Sequence, residues 1–229
     1  MTATLALLPS PLLGGVACQP LADALVQADR DVVLTGLPHE VTDPAAVLET
    51  FVSSVGGPRD VVLVPHSNAG LYAPEVARRV GATATVFVDA ALPPPGPLTR
   101  LAPPGLREQL GRLADDDGRL PPWTRWWGDD DLEGLFPPGV WRERVESAQP
   151  RLPLAYFDAT LPVPEGWEHR PCAYLAFGET YDDEVARARE LGWPVRVLEG
   201  RHLHMLFDPA GVARSILGLL DRLTSPGPG

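Results

Sequence analysis

The stretch VVLVPHSNAGLYAPEVARRV, residues 61–80, decides how the rest of this chain is interpreted. The run Asp60–Val64 predicts a strand, and the pattern from Asn68 to Val80 predicts a helix. Ser67 lies between them, with the small residue Ala69 two positions later. A serine on a sharp strand-to-helix turn, usually written G-x-S-x-G, can act as a nucleophile because the turn lifts its hydroxyl above the sheet. Serine is also a common helix N-cap, so this string alone leaves both interpretations open.

The turn departs from the usual pattern at the small residue before the serine. Pro65 stands where glycine is typical, and it has neither an N–H to donate nor a free φ angle. Ala69 and Gly70 supply the small residues on the other side. We therefore expect a turn that is either preset for a strained serine or slightly different from the standard elbow.

Short apolar runs alternate with helical patterns on both sides of this stretch. The other predicted strands are Thr4–Leu8, Asp31–Leu34, Thr83–Val88, Cys172–Phe177 and Pro194–Leu198, and the other predicted helices are Leu21–Ala28, Pro44–Val55, Asp182–Leu191 and Ala210–Leu223. This alternation predicts an α/β fold, with a mainly parallel sheet covered by helices on both faces. In such a fold the functional residues lie at the carboxyl ends of the strands.

The alternation is interrupted between residues 91 and 170. This segment is rich in proline, contains short helical pieces and holds five of the six tryptophans (Trp123, Trp126, Trp127, Trp141 and Trp167). Because it follows a strand end, we expect residues 91–170 to form a helical cap over the strand ends. Residues 1–90 and 171–229 would then form the α/β core.

Two histidines follow the last predicted strand, where a general base could reach Ser67. His202 is the first candidate for that base. His204 is its competitor and would point the other way if the segment were extended. Either histidine could instead lie at the surface or cap a helix.

Two carboxylates are candidates for holding the imidazole in one tautomer. Asp182 follows the strand Cys172–Phe177 in the loop FGETYDDE, and Asp89 ends the strand before the interruption. Asp182 could instead cap the helix that begins there, and Asp89 could be a buried hydrogen-bonding group. The sequence of the loop FGETYDDE is compatible with either carboxylate as the partner of the histidine.

The composition limits the possible partners. With 30 acidic and 19 basic residues the net charge is -11, which argues against nucleic acid and anionic membranes as partners. The two cysteines, Cys18 and Cys172, are too few for a disulfide framework, which favours a cytoplasmic location. No phosphate-binding loop, transmembrane run or metal-ligand spacing is present, and we predict neither a cofactor nor a metal. We expect the acidic run 129–131 to form a solvent-exposed face.

The whole chain resembles the α/β-hydrolase fold superfamily, in a small form that begins at the family's third strand. The resemblance rests on four segments: LLPSPLLGG (7–15), VPHSNAG (64–70), FVDAALPPPG (87–96) and HLHMLFDPAGVARSIL (202–217). They are similar to the family's oxyanion loop, elbow, pre-cap segment and histidine loop in small esterase-like and hydroxynitrile-lyase-like members. The resemblance implies Ser67 as nucleophile, His202 as base and Asp182 as acid, with Asp89 as the alternative acid.

The resemblance also implies where an oxyanion would be bound. One N–H would come from Asn68, the residue after the nucleophile. The second family position falls on Pro11, which has no N–H, so Leu12 or Ser10 would have to replace it. This departure is the reason to consider chemistry that needs no strong oxyanion hole.

The predicted ligand is a mostly apolar small molecule with a carbonyl group. Its pocket would be lined by Pro11, His66, Trp126, Trp127, Tyr181 and His204, with Trp123 and Phe136 as further aromatic candidates. Three functions fit: a serine hydrolase acting on an ester, thioester or lactone, a lyase or cyclase, and a non-catalytic binding protein. The oligomeric state is left open.

Overall fold

The computed structural model of the chain describes residues 3–38, 40–56 and 60–224. Its centre is a six-stranded parallel sheet in the order β2-β1-β3-β4-β7-β8. The strands are β1 (Thr4–Leu8), β2 (Val32–Leu34), β3 (Val61–Ser67), β4 (Ala84–Ala90), β7 (Cys172–Phe177) and β8 (Val195–Leu198). The sheet confirms the predicted α/β class.

Helices connect the strands and cover both faces of the sheet. They are α1 (Gln19–Gln27), α2 (Pro44–Val55), α3 (Ala73–Val80), α7 (Asp182–Glu190) and α8 (Pro209–Thr224). Helix α1 packs against α8, and α2 packs against α3. Alternate residues of β4 point to opposite faces of the sheet. Val88 packs in the larger apolar cluster, and Phe87 packs in a second cluster with Val185 of α7.

The start of α2 shows how the sequence sets these boundaries. Asp43 accepts a hydrogen bond from the Ala45 N–H at 2.9 Å, and Pro44 takes the first helical position, where no N–H is needed. The helix therefore begins where the Asp-Pro pair predicts.

The segment 91–170 lies between β4 and β7 and has short elements of its own. They are β5 (Leu98–Arg100), α4 (Pro104–Gly111), α5 (Asp129–Leu132), α6 (Trp141–Ala148) and β6 (Thr160–Pro162), and β5 pairs with β6 in an antiparallel ribbon. Buried residues such as Leu110 and Tyr156 belong to the larger apolar cluster, while Leu92, Val163 and Trp167 belong to the second. The ribbon was not predicted, since three-residue strands leave almost no periodic pattern.

No helix in the described ranges is both long enough and apolar enough to cross a membrane. Both cysteines are free and buried, and burial raises the pKa of each thiol to about 12. Neither thiol is therefore a thiolate near neutral pH.

Candidate active site

Ser67 ends β3 in a strained conformation. Its backbone has φ 58° and ψ -131°, a region that residues other than glycine rarely adopt. A short 3-10 helix, Asn68–Leu71, follows at once and leads into α3. Gly70 allows this close turn, because a Cβ there would lie 2.1 Å from the carbonyl oxygen of Ala91. The strand, the turn and the helix form the elbow that the sequence predicts.

A β-bulge places Asp89 opposite the elbow. His66 pairs with Val88 and Ser67 pairs with Ala90, so β4 carries one additional residue, Asp89, at this point. Asp89 has a positive φ of 43° and is fully buried. The bulge turns its side chain toward the carboxyl edge of the sheet.

Asp89 and Ser67 both contact His202. The His202 Nδ1 lies 2.7 Å from Asp89 Oδ2, and the His202 Nε2 lies 3.0 Å from Ser67 Oγ. The second carboxylate oxygen, Oδ1, accepts a hydrogen bond from the Phe177 N–H at 2.8 Å. A carboxylate, an imidazole and a hydroxyl thus form one chain of hydrogen bonds at the strand ends.

The contact that we predicted for Asp182 is made by Asp89 instead. Asp182 is exposed in the first turn of α7, where a carboxylate stabilises the positive end of the helix dipole. The bulge in β4 brings Asp89 to the imidazole directly.

His204 faces away from Ser67. Its ring packs against Phe177, with centroids 5.5 Å apart, and stacks on Phe207. His204 is not one of the described residues that line the cavity above Ser67. The prediction of His204 as a pocket residue is therefore corrected.

His66 supports the histidine loop from below. It is buried, its ring stacks on His202 at 4.7 Å, and its Nε2 lies 3.2 Å from the backbone oxygen of His202. Burial, followed by repulsion from His202, holds the pKa of His66 well below its usual value, so the ring is neutral. His66 lies beneath the cavity and was wrongly predicted to line it.

The turn after β1 differs from the prediction in its hydrogen bonds. The Leu12 N–H donates to Ser10 Oγ at 3.3 Å, and the N–H groups of Leu13 and Gly14 donate to the Ser10 carbonyl at 3.1 and 3.0 Å. Pro11 has no N–H. The N–H of Leu12, which we predicted as an oxyanion donor, already donates to Ser10. The side chain of Leu12 lines the cavity.

A cavity of about 1160 Å³ opens above Ser67 and His202. It is large enough for a drug-sized ligand. Its apolar lining combines aliphatic side chains with three indoles (Leu12, Leu71, Leu92, Leu98, Leu101, Leu106, Leu132, Leu135, Trp123, Trp126 and Trp127). Most of these residues belong to the segment 91–170, which therefore forms much of the cavity wall.

Three of the predicted pocket residues, Trp126, Trp127 and Tyr181, line this cavity. Pro11 and Phe136, although described, do not contribute to the lining. Pro11 is buried in the turn after β1, and Phe136 packs against the main apolar cluster. Trp123 lines the cavity beside His202, and the two ring centroids are 6.0 Å apart.

Several polar residues of the cavity were not predicted. They are Thr99, Thr180, Glu184 and Arg201 on its wall, whereas Asn68, which lines it from the elbow, was predicted. Arg201 and Glu184 carried a weak signal, since they lie next to the histidine and within the FGETYDDE loop. Thr99 carried none, because its strand is not evident in the sequence.

The acidic run 129–131 gives no sign of a metal site. Asp131 caps α5 by accepting a hydrogen bond from the Gly128 N–H at 3.1 Å. In the part of the chain that the structure describes, no group of three or more potential metal ligands is brought together.

Comparison with known families agrees with this geometry. The model of the "Alpha/beta hydrolase family" matches residues 14–215, which is most of the chain. The chain belongs to the alpha/beta hydrolase family. No curated protein sequence matches the chain significantly.

Solved structures of alpha/beta hydrolases share the fold at low sequence identity. An extracellular alpha/beta-hydrolase from a Paenibacillus species superposes with a TM-score of 0.76 and 15% identity, covering 95% of this chain and 99% of that one. Polyneuridine aldehyde esterase gives 0.69 and 16%, covering 96% and 100%. A variant of tomato methylketone synthase I bound to beta-ketoheptanoate gives 0.70 and 13%, covering 98% and 100%. At such identities the likeness establishes the fold alone.

Proposed function

We propose that this alpha/beta hydrolase is a serine hydrolase that cleaves an ester, thioester or lactone of a mostly apolar small molecule. The observation that carries the proposal is the chain of hydrogen bonds from Asp89 through His202 to Ser67. Each group has the position that nucleophilic catalysis requires: a hydroxyl, a base within reach of its proton, and a carboxylate behind the base.

In the proposed reaction, His202 Nε2 takes the proton of Ser67 while Oγ bonds to the substrate's carbonyl carbon. The carbonyl π electrons move to the oxygen and then return, and the bond to the leaving group breaks. The leaving group departs with the proton from His202. Water repeats the cycle on the acyl-enzyme, with His202 again as base, and releases the acid. Asp89 keeps the imidazole in one tautomer and stabilises its charge.

The cavity supports the substrate class. Its wall is mainly aliphatic and aromatic, with polar groups gathered near Ser67 and at a few places on the wall. Such a wall favours an apolar body with one reactive carbonyl. The likeness to an esterase, polyneuridine aldehyde esterase, is consistent with this class.

A fluorophosphonate probe tests the proposal directly. Such a probe should label the wild-type protein, and labelling should disappear in Ser67→Ala. The unlabelled wild-type protein should also hydrolyse p-nitrophenyl esters, and this activity should be lost both in Ser67→Ala and after labelling. A folded wild-type protein that is neither labelled nor active on esters would exclude the acyl-enzyme.

One observation favours a second candidate, a lyase or cyclase in which His202 and Ser67 only move protons. The turn after β1 has no unengaged N–H at Pro11 or Leu12 for a carbonyl oxygen. This function predicts turnover of a carbonyl substrate without hydrolysis of esters. The assay with p-nitrophenyl esters therefore separates the two candidates.

A further inference from the structure

The turn after β1 raises a specific question about the proposed hydrolysis. A tetrahedral intermediate carries a negative oxygen that usually needs two donors. The backbone N–H of Asn68, the residue after the nucleophile, is one of them. The N–H groups of residues 12–14 are engaged with Ser10, and Pro11 has none. A second donor must come from another part of the cavity wall.

Tyr181 is a side chain of that wall with a hydroxyl that could serve as this donor. Its side chain lines the cavity together with Ser67 and His202, and its ring centroid is 5.7 Å from that of His202. In the intermediate only two bonds separate the oxyanion from Oγ, so the oxyanion would lie in the cavity that Tyr181 and Ser67 both line.

The surroundings of Tyr181 keep its hydroxyl protonated. Burial, and then the negative charges of Asp89 and Glu184, raise the pKa of Tyr181 well above its usual value. A protonated phenol can donate a hydrogen bond throughout the pH range in which His202 could act as a base. The tyrosine precedes α7, which fixes its backbone at the edge of the cavity.

We infer that the phenol of Tyr181 is the second hydrogen-bond donor to the oxyanion, replacing the N–H that Pro11 cannot supply. This inference rests on the proposed hydrolase function. When Oγ bonds to the carbonyl carbon, the π electrons move to the carbonyl oxygen and the Oγ proton goes to His202. Tyr181 keeps its own proton and donates a hydrogen bond to that oxygen. It is therefore a catalytic residue that touches the reacting atoms.

The test compares rates at which a fluorophosphonate labels Ser67, because the phosphonyl oxygen occupies the oxyanion position. Tyr181→Phe should slow labelling and ester turnover roughly 10²- to 10³-fold, the usual effect of losing one oxyanion donor. KM should change little, since the missing hydrogen bond forms only in the transition state. Ser53→Ala, which removes a hydroxyl from an exposed serine of α2 outside the cavity, should label at the wild-type rate.

Pro11→Ala provides the decisive second variant, because it restores an N–H to the turn after β1. It should accelerate labelling more in the Tyr181→Phe background than in the wild type. Equal effects in the two backgrounds would overturn the replacement of Pro11 by Tyr181. If Tyr181→Phe does not fold, Tyr181→Met tests the same loss of a hydroxyl.

The outcomes distinguish this inference from the proposed function. Wild-type labelling that is unchanged in the folded Tyr181→Phe variant would overturn the role of Tyr181 and leave the hydrolase intact. Absence of labelling in the wild type would overturn the hydrolase function, and the role of Tyr181 with it.

Discussion

The side chain of Asp89 makes two hydrogen bonds, and together they determine which atom faces His202. Oδ1 accepts from the Phe177 N–H, which leaves Oδ2 for the imidazole. An amide at this position would keep its oxygen toward Phe177, because its NH₂ cannot accept a hydrogen bond. The NH₂ would then face Nδ1 and force the imidazole to carry its proton on Nε2.

Asp89→Asn should therefore lower kcat by roughly 10⁴-fold, because the wrong tautomer cannot take the proton of Ser67. The loss should be measured as kcat on a p-nitrophenyl ester. Circular dichroism should show an unchanged fold, since the two side chains have the same shape.

Asp182→Asn is the matched control for this substitution. Asp182 is exposed at the start of α7, so its amide should leave kcat near the wild-type value. The opposite ranking of the two variants would restore Asp182 as the acid and contradict the role of Asp89.

At the scale of elements, the junction of β3 and α3 depends on a close approach of two backbones. A Cβ at Gly70 would meet the Ala91 carbonyl oxygen at 2.1 Å and the Ala90 Cβ at 3.1 Å. Neither neighbour is the flexible end of a side chain, so the elbow would have to shift.

Gly70→Ala should lower the free energy of unfolding by about 1–3 kcal/mol, the usual cost of overpacking. It should also lower kcat, since Ser67 would move. Gly218→Ala in α8 is the control, because a Cβ there meets nothing within 4 Å. That variant should gain up to about 1 kcal/mol from helix propensity. Urea denaturation measures the free energy of unfolding of both variants. Equal changes in the two would contradict the close backbone contact at Gly70.

Helix α3 also carries a buried carboxylate whose protonation affects stability. Glu75 accepts hydrogen bonds from Arg78 at 2.7 and 2.8 Å and from Arg79 at 2.8 Å. The bonds from Arg78, opposed by burial and assisted by Arg79, hold the pKa of Glu75 below its usual value. A lowered pKa in the folded state means that the ionised carboxylate stabilises the fold.

This contribution is complete above the unfolded-state pKa of about 4.3 and is lost as the pH falls through the lower folded-state pKa. Thermal unfolding should therefore show Tm falling less below pH 5 in Glu75→Gln than in the wild type. Above pH 5 the variant should be less stable than wild type. Glu190→Gln, at an exposed glutamate, should follow the wild-type pH profile.

Sequence patterns were sufficient for strands that are continuous apolar runs. The ranges Thr4–Leu8 and Cys172–Phe177 were predicted to the residue, and Pro9, Pro171 and Gly178 mark three of their four ends. Strand β3 was predicted to end at Val64 but extends to Ser67. Pairing of Leu8 with Pro65 keeps the chain extended there, and a single strand's pattern cannot reveal that pairing.

The same limit applies to the site. Ser67 and His202 could be located because each lies in a local pattern. The choice between Asp89 and Asp182 depends on the bulge opposite His66, which exists only when β3 and β4 pair. The engaged N–H of Leu12 likewise depends on a turn geometry that the string LLPSPLLGG does not specify.

At the scale of the whole molecule, a pair of buried tyrosines joins the sheet to the segment 91–170. Tyr72 precedes α3, Tyr156 lies in the 3-10 helix Leu154–Asp158, and their hydroxyl groups are hydrogen-bonded to each other. Both side chains are almost completely buried. The cavity wall is therefore held at a point five residues beyond Ser67.

Tyr156→Phe should lower the free energy of unfolding by about 1–3 kcal/mol, because it leaves the Tyr72 hydroxyl buried without a partner. Tyr72→Phe should cost a similar amount. The double variant should cost less than the sum, since it leaves no orphaned hydroxyl. Urea denaturation of the four proteins measures the coupling, and strict additivity would contradict a direct link.

The positive φ angles of Ser67 and Asp89 set stability and activity in opposition. Each costs of order 1–3 kcal/mol, and glycine would adopt the same backbone without that cost. The proposed chemistry needs the side chains that create the strain. Selection for heat resistance alone would therefore favour Ser67→Gly, which removes the strain together with the hydroxyl that the proposed chemistry needs.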